Sequence, residues 1–156
     1  MKILSGSARE TLAIGRTIAG LAKAGDIICL FGQLGSGKTV LAKGIAQGLR
    51  VKGKEVISPS FVLLREYDSG KLPLYHFDLY RLKGVQEVLD LGYEEYLFGQ
   101  GLSVIEWADR LKVLEPKEAL SIRLSVLGGS KRELVFSAKG KRHKALLKGI
   151  NENISA

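Results

Sequence analysis

Residues Gly32, Gln33, Leu34, Gly35, Ser36, Gly37, Lys38 and Thr39 form an octet that matches the phosphate-binding pattern G-x-x-x-x-G-K-[ST]. Each residue type in it has a chemical use. The glycines permit backbone conformations barred to residues with a Cβ, so successive N–H groups can converge on phosphate oxygens. Lys38 supplies a point charge to the β- and γ-phosphates, and the Thr39 hydroxyl is a ligand suited to Mg²⁺. The apolar run Ile27-Ile28-Cys29-Leu30-Phe31 leads into the octet, and Val40-Leu41-Ala42 continues it at helical spacing. A strand would therefore aim the loop, and a helix N-terminus would back it with free N–H groups and partial positive charge. The expected ligand is a nucleoside triphosphate.

A phosphate loop binds; hydrolysis also needs a carboxylate near the metal and a group that places water. Two acids stand where apolar runs give way to polar residues: Asp78 after Tyr75-His76-Phe77, and Glu106 after Val104-Ile105. At the C-terminal ends of strands in an open α/β sheet, both would face the crevice that holds ligand. The alternative is that they cap turns or pair with Arg81 and Arg110. Ser58-Pro59-Ser60 falls one strand beyond the loop helix, where a hydroxyl could approach the γ-phosphate, although composition alone favours an ordinary proline turn. His76 shares a strand face with Asp78 and reads as a hydrogen-bonding partner. His143 reads as a surface residue.

The elements that must position these groups follow from periodicity. Ser7-Ala8-Arg9-Glu10 fits a capping box, and Leu12, Ile14, Ile18 and Leu21 continue at helical spacing toward Gly25. A strand over 26–31 precedes the loop, and a helix over 38–49 follows it. A short strand is expected at Val56-Ile57, and a strand pair over 61–67 and 74–80 turns at Asp68-Ser69-Gly70. Alternation in the second of these puts Tyr75, Phe77 and Leu79 on one face, with His76 and Asp78 on the other. Short helices over 84–91 and 93–98 break at Gly92, and 102–105 is a buried strand. Strands over 119–127 and 133–137 flank the hairpin signal Gly128-Gly129-Ser130. The segment 142–150 is expected to be helical, with Ala145, Leu146 and Ile150 inward. This order predicts one α/β domain over 1–156, a three-layer P-loop fold with a mixed, partly parallel sheet and antiparallel edge strands.

At 156 residues the chain can bury about 70% of its unfolded surface. No apolar stretch approaches the roughly 18 residues of a membrane span, and the N-terminus lacks a signal peptide's charged-then-apolar layout. Cys29 is the only cysteine, which excludes an internal disulfide and fits a reducing cytoplasmic setting. The net charge is +8, from 24 Lys and Arg against 16 Asp and Glu. It is concentrated at Lys131, Arg132, Lys139, Lys141, Arg142, Lys144 and Lys148, a segment that could meet RNA, an acidic protein or water. Only Phe136 interleaves these cations, so the pattern for stacking single-stranded bases is missing.

Taken together, Gly32 to Thr39, Ser58-Pro59-Ser60-Phe61, His76-Phe77-Asp78-Leu79-Tyr80-Arg81 and Ile105-Glu106-Trp107 resemble the TsaE (YjeE-type) family. These are small bacterial P-loop ATPases of threonylcarbamoyladenosine formation on tRNA. The likeness covers residues 1 to about 115, including the lead-in Thr11-Leu12-Ala13-Ile14-Gly15. The loop is shared by many families, but its combination with H-x-D-x-Y-R and E-W is specific.

The resemblance implies that Gly32 through Val40, with Thr11, Ser60 and Trp107, contact ATP or ADP. It implies Thr39, Asp78 and Glu106 around Mg²⁺, and Lys38, Asp78 and Glu106 as the catalytic set. It also implies TsaB- and TsaD-type partner subunits, with no membrane. Three departures stand out: Ser60 for threonine, Gln33 where an acid is common, and Ala108-Asp109 where Pro-Glu is common after the tryptophan.

Other functions fit less well. A GTPase needs a guanine-reading Asn-Lys-x-Asp, whereas the only asparagines are Asn151 and Asn153. A small-molecule kinase needs an acceptor pocket and usually an arginine-bearing lid, and no insertion after Thr39 resembles one. A nucleotide-controlled interaction module with little intrinsic turnover remains open.

Overall fold

A computed structural model describes residues 1–52 and 62–155. The strand expected at Val56-Ile57 and the Ser58-Pro59-Ser60 segment lie outside the described residues.

The elements run β1 (Lys2–Ser5), α1 (Ala8–Leu21), β2 (Ile27–Phe31), α2 (Lys38–Gly48), β3 (Leu64–Tyr67), β4 (Leu74–Asp78), α3 (Val85–Asp90), α4 (Tyr93–Leu97) and β5 (Leu102–Glu106). A 3-10 stretch (Ala108–Leu114), β6 (Ala119–Gly128), β7 (Lys131–Lys139) and α5 (Lys141–Ser155) complete them. The strands form one seven-stranded sheet ordered β1-β7-β6-β2-β5-β4-β3. β2 lies parallel to both β5 and β6, and β4 parallel to β5, while β3, β7 and β1 pair antiparallel. The expected mixed sheet with antiparallel edges is what the chain forms.

Alternation along each strand builds two cores. Ile28 and Leu30 of β2, Leu74 of β4, and Leu102 and Val104 of β5 pack with Ile14, Ile18, Leu41, Ile45, Leu146 and Ile150 from α1, α2 and α5. Ile27, Cys29, Phe31, Phe77 and Ile105 point to the other face, against Val88, Tyr93, Leu97 and Leu111. β2 is buried along its whole length, as a central parallel strand covered on both faces must be. α1 lies tight on α2: a Cβ at Gly15 would sit 2.6 Å from the Leu41 carbonyl oxygen. That close approach seats the start of α1 beside the loop.

Ser7 caps α1 by accepting from the Glu10 N–H at 3.2 Å, and the Glu10 carboxylate accepts from the Gly6 N–H at 2.7 Å. α1 ends at Leu21, short of the expected Gly25, which lies in the left-handed region (φ 87°) and hands its N–H to the Gly101 carbonyl. Two elements carried no sequence signal. β1 has only 4 residues, too few for a readable period, and the 3-10 stretch is broken by Lys112 at φ 51°.

α5 corrects two further expectations. Its inner face is His143, Leu146 and Ile150, and Ala145 is exposed. His143 is buried, and its Nε2 accepts the Ile27 N–H at 3.0 Å. The neighbouring Arg142 grips buried Asp26 through both carboxylate oxygens, at 2.9 and 2.5 Å. Part of the basic segment is therefore a clamp between the C-terminal helix and the start of β2.

Candidate functional site

The loop between β2 and α2 bends where glycine is required. Gly32 has φ 146°, and a Cβ there would lie 2.5 Å from both the Leu124 carbonyl oxygen and the Ser36 hydroxyl. Gly37 takes the N-cap of α2 in the left-handed region (φ 106°), with no side chain bonding the first N–H groups of the helix. No acid sits in that first turn. Those N–H groups and the positive end of the helix dipole are thus available to an anion.

Lys38 is almost fully buried, and its ammonium donates to the Gly32 carbonyl at 2.7 Å and the Gln33 carbonyl at 2.9 Å. The same Nζ lies 4.0 Å from the centroid of the Trp107 ring. Burial pushes the Lys38 pKa down, against the opposing pull of Glu106, Asp78 and Asp109.

β4 and β5 bring the two acids together. Asp78 and Glu106 are register partners in the parallel ladder, so their Cα atoms stand side by side at the strand ends. Both are buried. Glu106 spends one oxygen on the Thr39 hydroxyl, which donates to Oε1 at 2.7 Å, and the other on His76 Nε2 at 2.6 Å from Oε2. Asp78 Oδ1 accepts the Tyr80 N–H at 3.0 Å. The expected role of His76 as a hydrogen-bonding partner is realised on Glu106. Tyr80 and Trp107 stack with ring centroids 5.0 Å apart, and the Arg110 guanidinium lies 5.6 Å from the Trp107 ring centre.

A cavity of about 420 Å³ runs along this surface. Lys38, Thr39, Asp78, Glu106 and Trp107 line it, together with Leu34, Gly35, Gly37, Val40 and Thr11. Thr11 is buried, with its hydroxyl 2.8 Å from that of Ser5. Gly32, Gln33 and Ser36 line instead an adjoining cavity of about 530 Å³ beyond the loop. Ser60 lies outside the described residues.

Sequence reasoning missed Arg132. Its guanidinium reaches from β7 to the Ser36 carbonyl at 3.1 Å and the Gly35 carbonyl at 3.2 Å, so it braces the loop and lines the same cavity. The hairpin signal beside it was readable, but a contact between residues this distant in the chain was not.

The groups at this cavity can do two things. The uncapped helix N-terminus, the lysine and the glycine backbone suit a polyphosphate, whereas an oxygen-only set of hydroxyl and carboxylates suits a hard cation. The model of a family described as "Threonylcarbamoyl adenosine biosynthesis protein TsaE" matches residues 5–134. The chain belongs to the TsaE family.

Individual members agree. The TsaE protein of Bacillus subtilis (strain 168) is 43% identical over 148 residues, which span 94% of this chain and 92% of that protein. The one from Treponema pallidum (strain Nichols) is 39% identical over 137 residues, 88% of this chain and 100% of that protein. In three dimensions the chain resembles the crystal structure of YdiB from Bacillus subtilis, with TM-score 0.86 and 36% identity. That likeness covers 99% of this chain and 95% of YdiB. The family model spans the loop, both strand-end acids, His76, Trp107 and Arg132, so the cavity belongs to the region shared with the family.

Proposed function

We propose that this chain is an ATP-binding and ATP-hydrolysing accessory subunit of the assembly that forms threonylcarbamoyladenosine on tRNA. In this reading it acts with TsaB- and TsaD-type subunits and turns over slowly alone. The carrying observation is the meeting of Thr39, Glu106 and Asp78 beside the glycine cradle in one cavity. Relatives named "tRNA threonylcarbamoyladenosine biosynthesis protein TsaE" supply the pathway.

Magnesium fits the donor chemistry. Among the described residues no cluster of three or more His, Cys, Asp or Glu forms a protein-only cage. Mg²⁺ needs none when one or two carboxylates and substrate phosphates share it with water. Thr39, Asp78 and Glu106 are the residues that would hold it or its waters. When bound, the ion neutralises charge on the phosphates during transfer.

The protein's own groups divide the remaining work. The N–H groups at the start of α2 receive phosphate oxygens, and Lys38 exchanges its loop carbonyls for charge on the terminal phosphate. Glu106, whose carboxylate holds hydrogen bonds to Thr39 and His76, orients a water in this reading. Thr11, which lines the same cavity, contacts the nucleotide in this reading.

The decisive measurement is phosphate release by the isolated chain, then with TsaB- and TsaD-type proteins, with and without tRNA. Slow release alone and faster release with partners is expected. Fast release indifferent to partners, or strong phosphorylation of a metabolite, would overturn this reading.

A further inference from the structure

His76 is the buried polar side chain at this site whose role the fold alone does not explain. It sits mid-strand in β4, opposite Val104 of β5, and is 1% exposed. Its Nε2 lies 2.6 Å from Glu106 Oε2, while its Nδ1 has no hydrogen-bond partner among the described residues. A buried ring nitrogen without a partner is unfavourable, and an apolar side chain of similar size would avoid it among Leu74, Leu102 and Val104. What histidine adds at this position is therefore the single contact from Nε2 to Glu106.

That contact has a geometric consequence at Thr39. The terminal torsion of a glutamate is broad, so one hydrogen bond leaves the carboxylate free to swivel. With Oε2 held by His76, Oε1 is aimed at the Thr39 hydroxyl. The one hydroxyl hydrogen of Thr39 is then committed to Glu106, and both oxygen lone pairs turn away from the carboxylate. Since Thr39 and Glu106 both line the cavity, those lone pairs are offered to a cation there.

We infer that His76 is a positioning residue for the metal site: acting through Glu106, it fixes the rotamer of Thr39 that presents an oxygen to Mg²⁺. The inference rests on the ATP and Mg²⁺ reading above and goes beyond it. It assigns the histidine to metal affinity, separate from nucleotide affinity and from the chemical step.

Two substitutions separate this role from simple packing. The amide nitrogen of glutamine falls near the position of imidazole Nε2, whereas that of asparagine falls near Nδ1, where no described residue receives it. The test is calorimetry of ADP binding across a Mg²⁺ titration, so that no turnover is needed, with thermal melting as a check on folding. The parent chain should bind ADP more tightly as Mg²⁺ rises. In His76→Asn the half-saturating Mg²⁺ concentration should rise about 10- to 100-fold with Mg²⁺-free ADP affinity unchanged, and His76→Gln should recover most of it. In a Glu106→Ala background, His76→Asn should add nothing further.

Equal Mg²⁺ dependence in parent, His76→Asn and His76→Gln would overturn the positioning role alone. Loss of Mg²⁺-free ADP affinity in parallel with the Mg²⁺ effect would overturn it too, in favour of packing. A parent chain that shows no ADP binding at any Mg²⁺ level would overturn the ATP reading, and this inference with it.

Discussion

The Lys38 ammonium rests 4.0 Å from the centre of the Trp107 ring, held there by the carbonyls of Gly32 and Gln33. The cation that should grip a phosphate therefore touches the only tryptophan of the chain. Moving Nζ toward a phosphate weakens a cation–π contact and changes the field at the indole. Tryptophan emission should shift in intensity or wavelength on titration with Mg-ADP. An unaltered spectrum in a sample that calorimetry shows to be saturated would separate Lys38 from the bound phosphate.

Lys38→Ala removes the largest fixed positive charge at the cradle. Phosphate release should fall by roughly 10²–10³-fold, the scale of losing one preorganised charge-stabilising group. Melting should change less than turnover, because the bonds of Nζ reach only carbonyls of the loop itself. Retention of more than a tenth of the activity, measured by phosphate release, would contradict the assignment.

Asp78→Asn keeps the size of the side chain and its acceptor for the Tyr80 N–H. It removes the charge beside Glu106 in the β4–β5 register. Mg²⁺-dependent turnover should drop more than ADP affinity does. Equal loss of both, read from kcat and from Kd, would make Asp78 structural.

The basic segment divides into separable parts. Arg142→Ala leaves the buried Asp26 carboxylate without its bidentate partner. It should destabilise the chain by about 2 kcal/mol in denaturant unfolding, below the full value for a buried pair because the guanidinium is partly exposed. Replacing Lys139, Lys141 and Lys144, all exposed, should leave stability within about 0.5 kcal/mol. If these lysines meet tRNA or an acidic partner, their loss should flatten the salt dependence of activity in the assembled complex.

His143 gives stability a pH dependence. Burial lowers its pKa from the ordinary 6.5, with Asp26 and Glu118 opposing and Arg142 reinforcing the shift. The ring is neutral in the fold, where Nε2 must accept the Ile27 N–H. Below 6.5 the unfolded chain takes up the proton first, so stability is full above that pH and declines as pH falls toward the folded-state value. The slope from this one group is at most about 1.4 kcal/mol per pH unit. His143→Gln, which can still accept from Ile27, should remove that component from denaturant midpoints measured between pH 7.5 and 5.5. An unchanged pH profile would show that another group carries it.

The sequence by itself determined the parts governed by local rules. The octet from Gly32 to Thr39 announces its cradle because the glycine positions and the lysine have no cheaper local use. Apolar runs ending at Asp78 and Glu106 announce strand ends, since period and burial are written in the order of residues. Tertiary structure decided what those rules cannot reach. Pairing between β4 and β5 set Asp78 beside Glu106, and packing of α2 on the sheet chose Glu106 as the acceptor for Thr39. Docking of α5 turned His143 and Arg142 from apparent surface groups into contacts with Ile27 and Asp26. Arg132 reached the loop only because the hairpin folded beside it. Hydrogen bonds and ion pairs between distant residues depend on which surfaces meet, and a linear string fixes that only through the whole packed core.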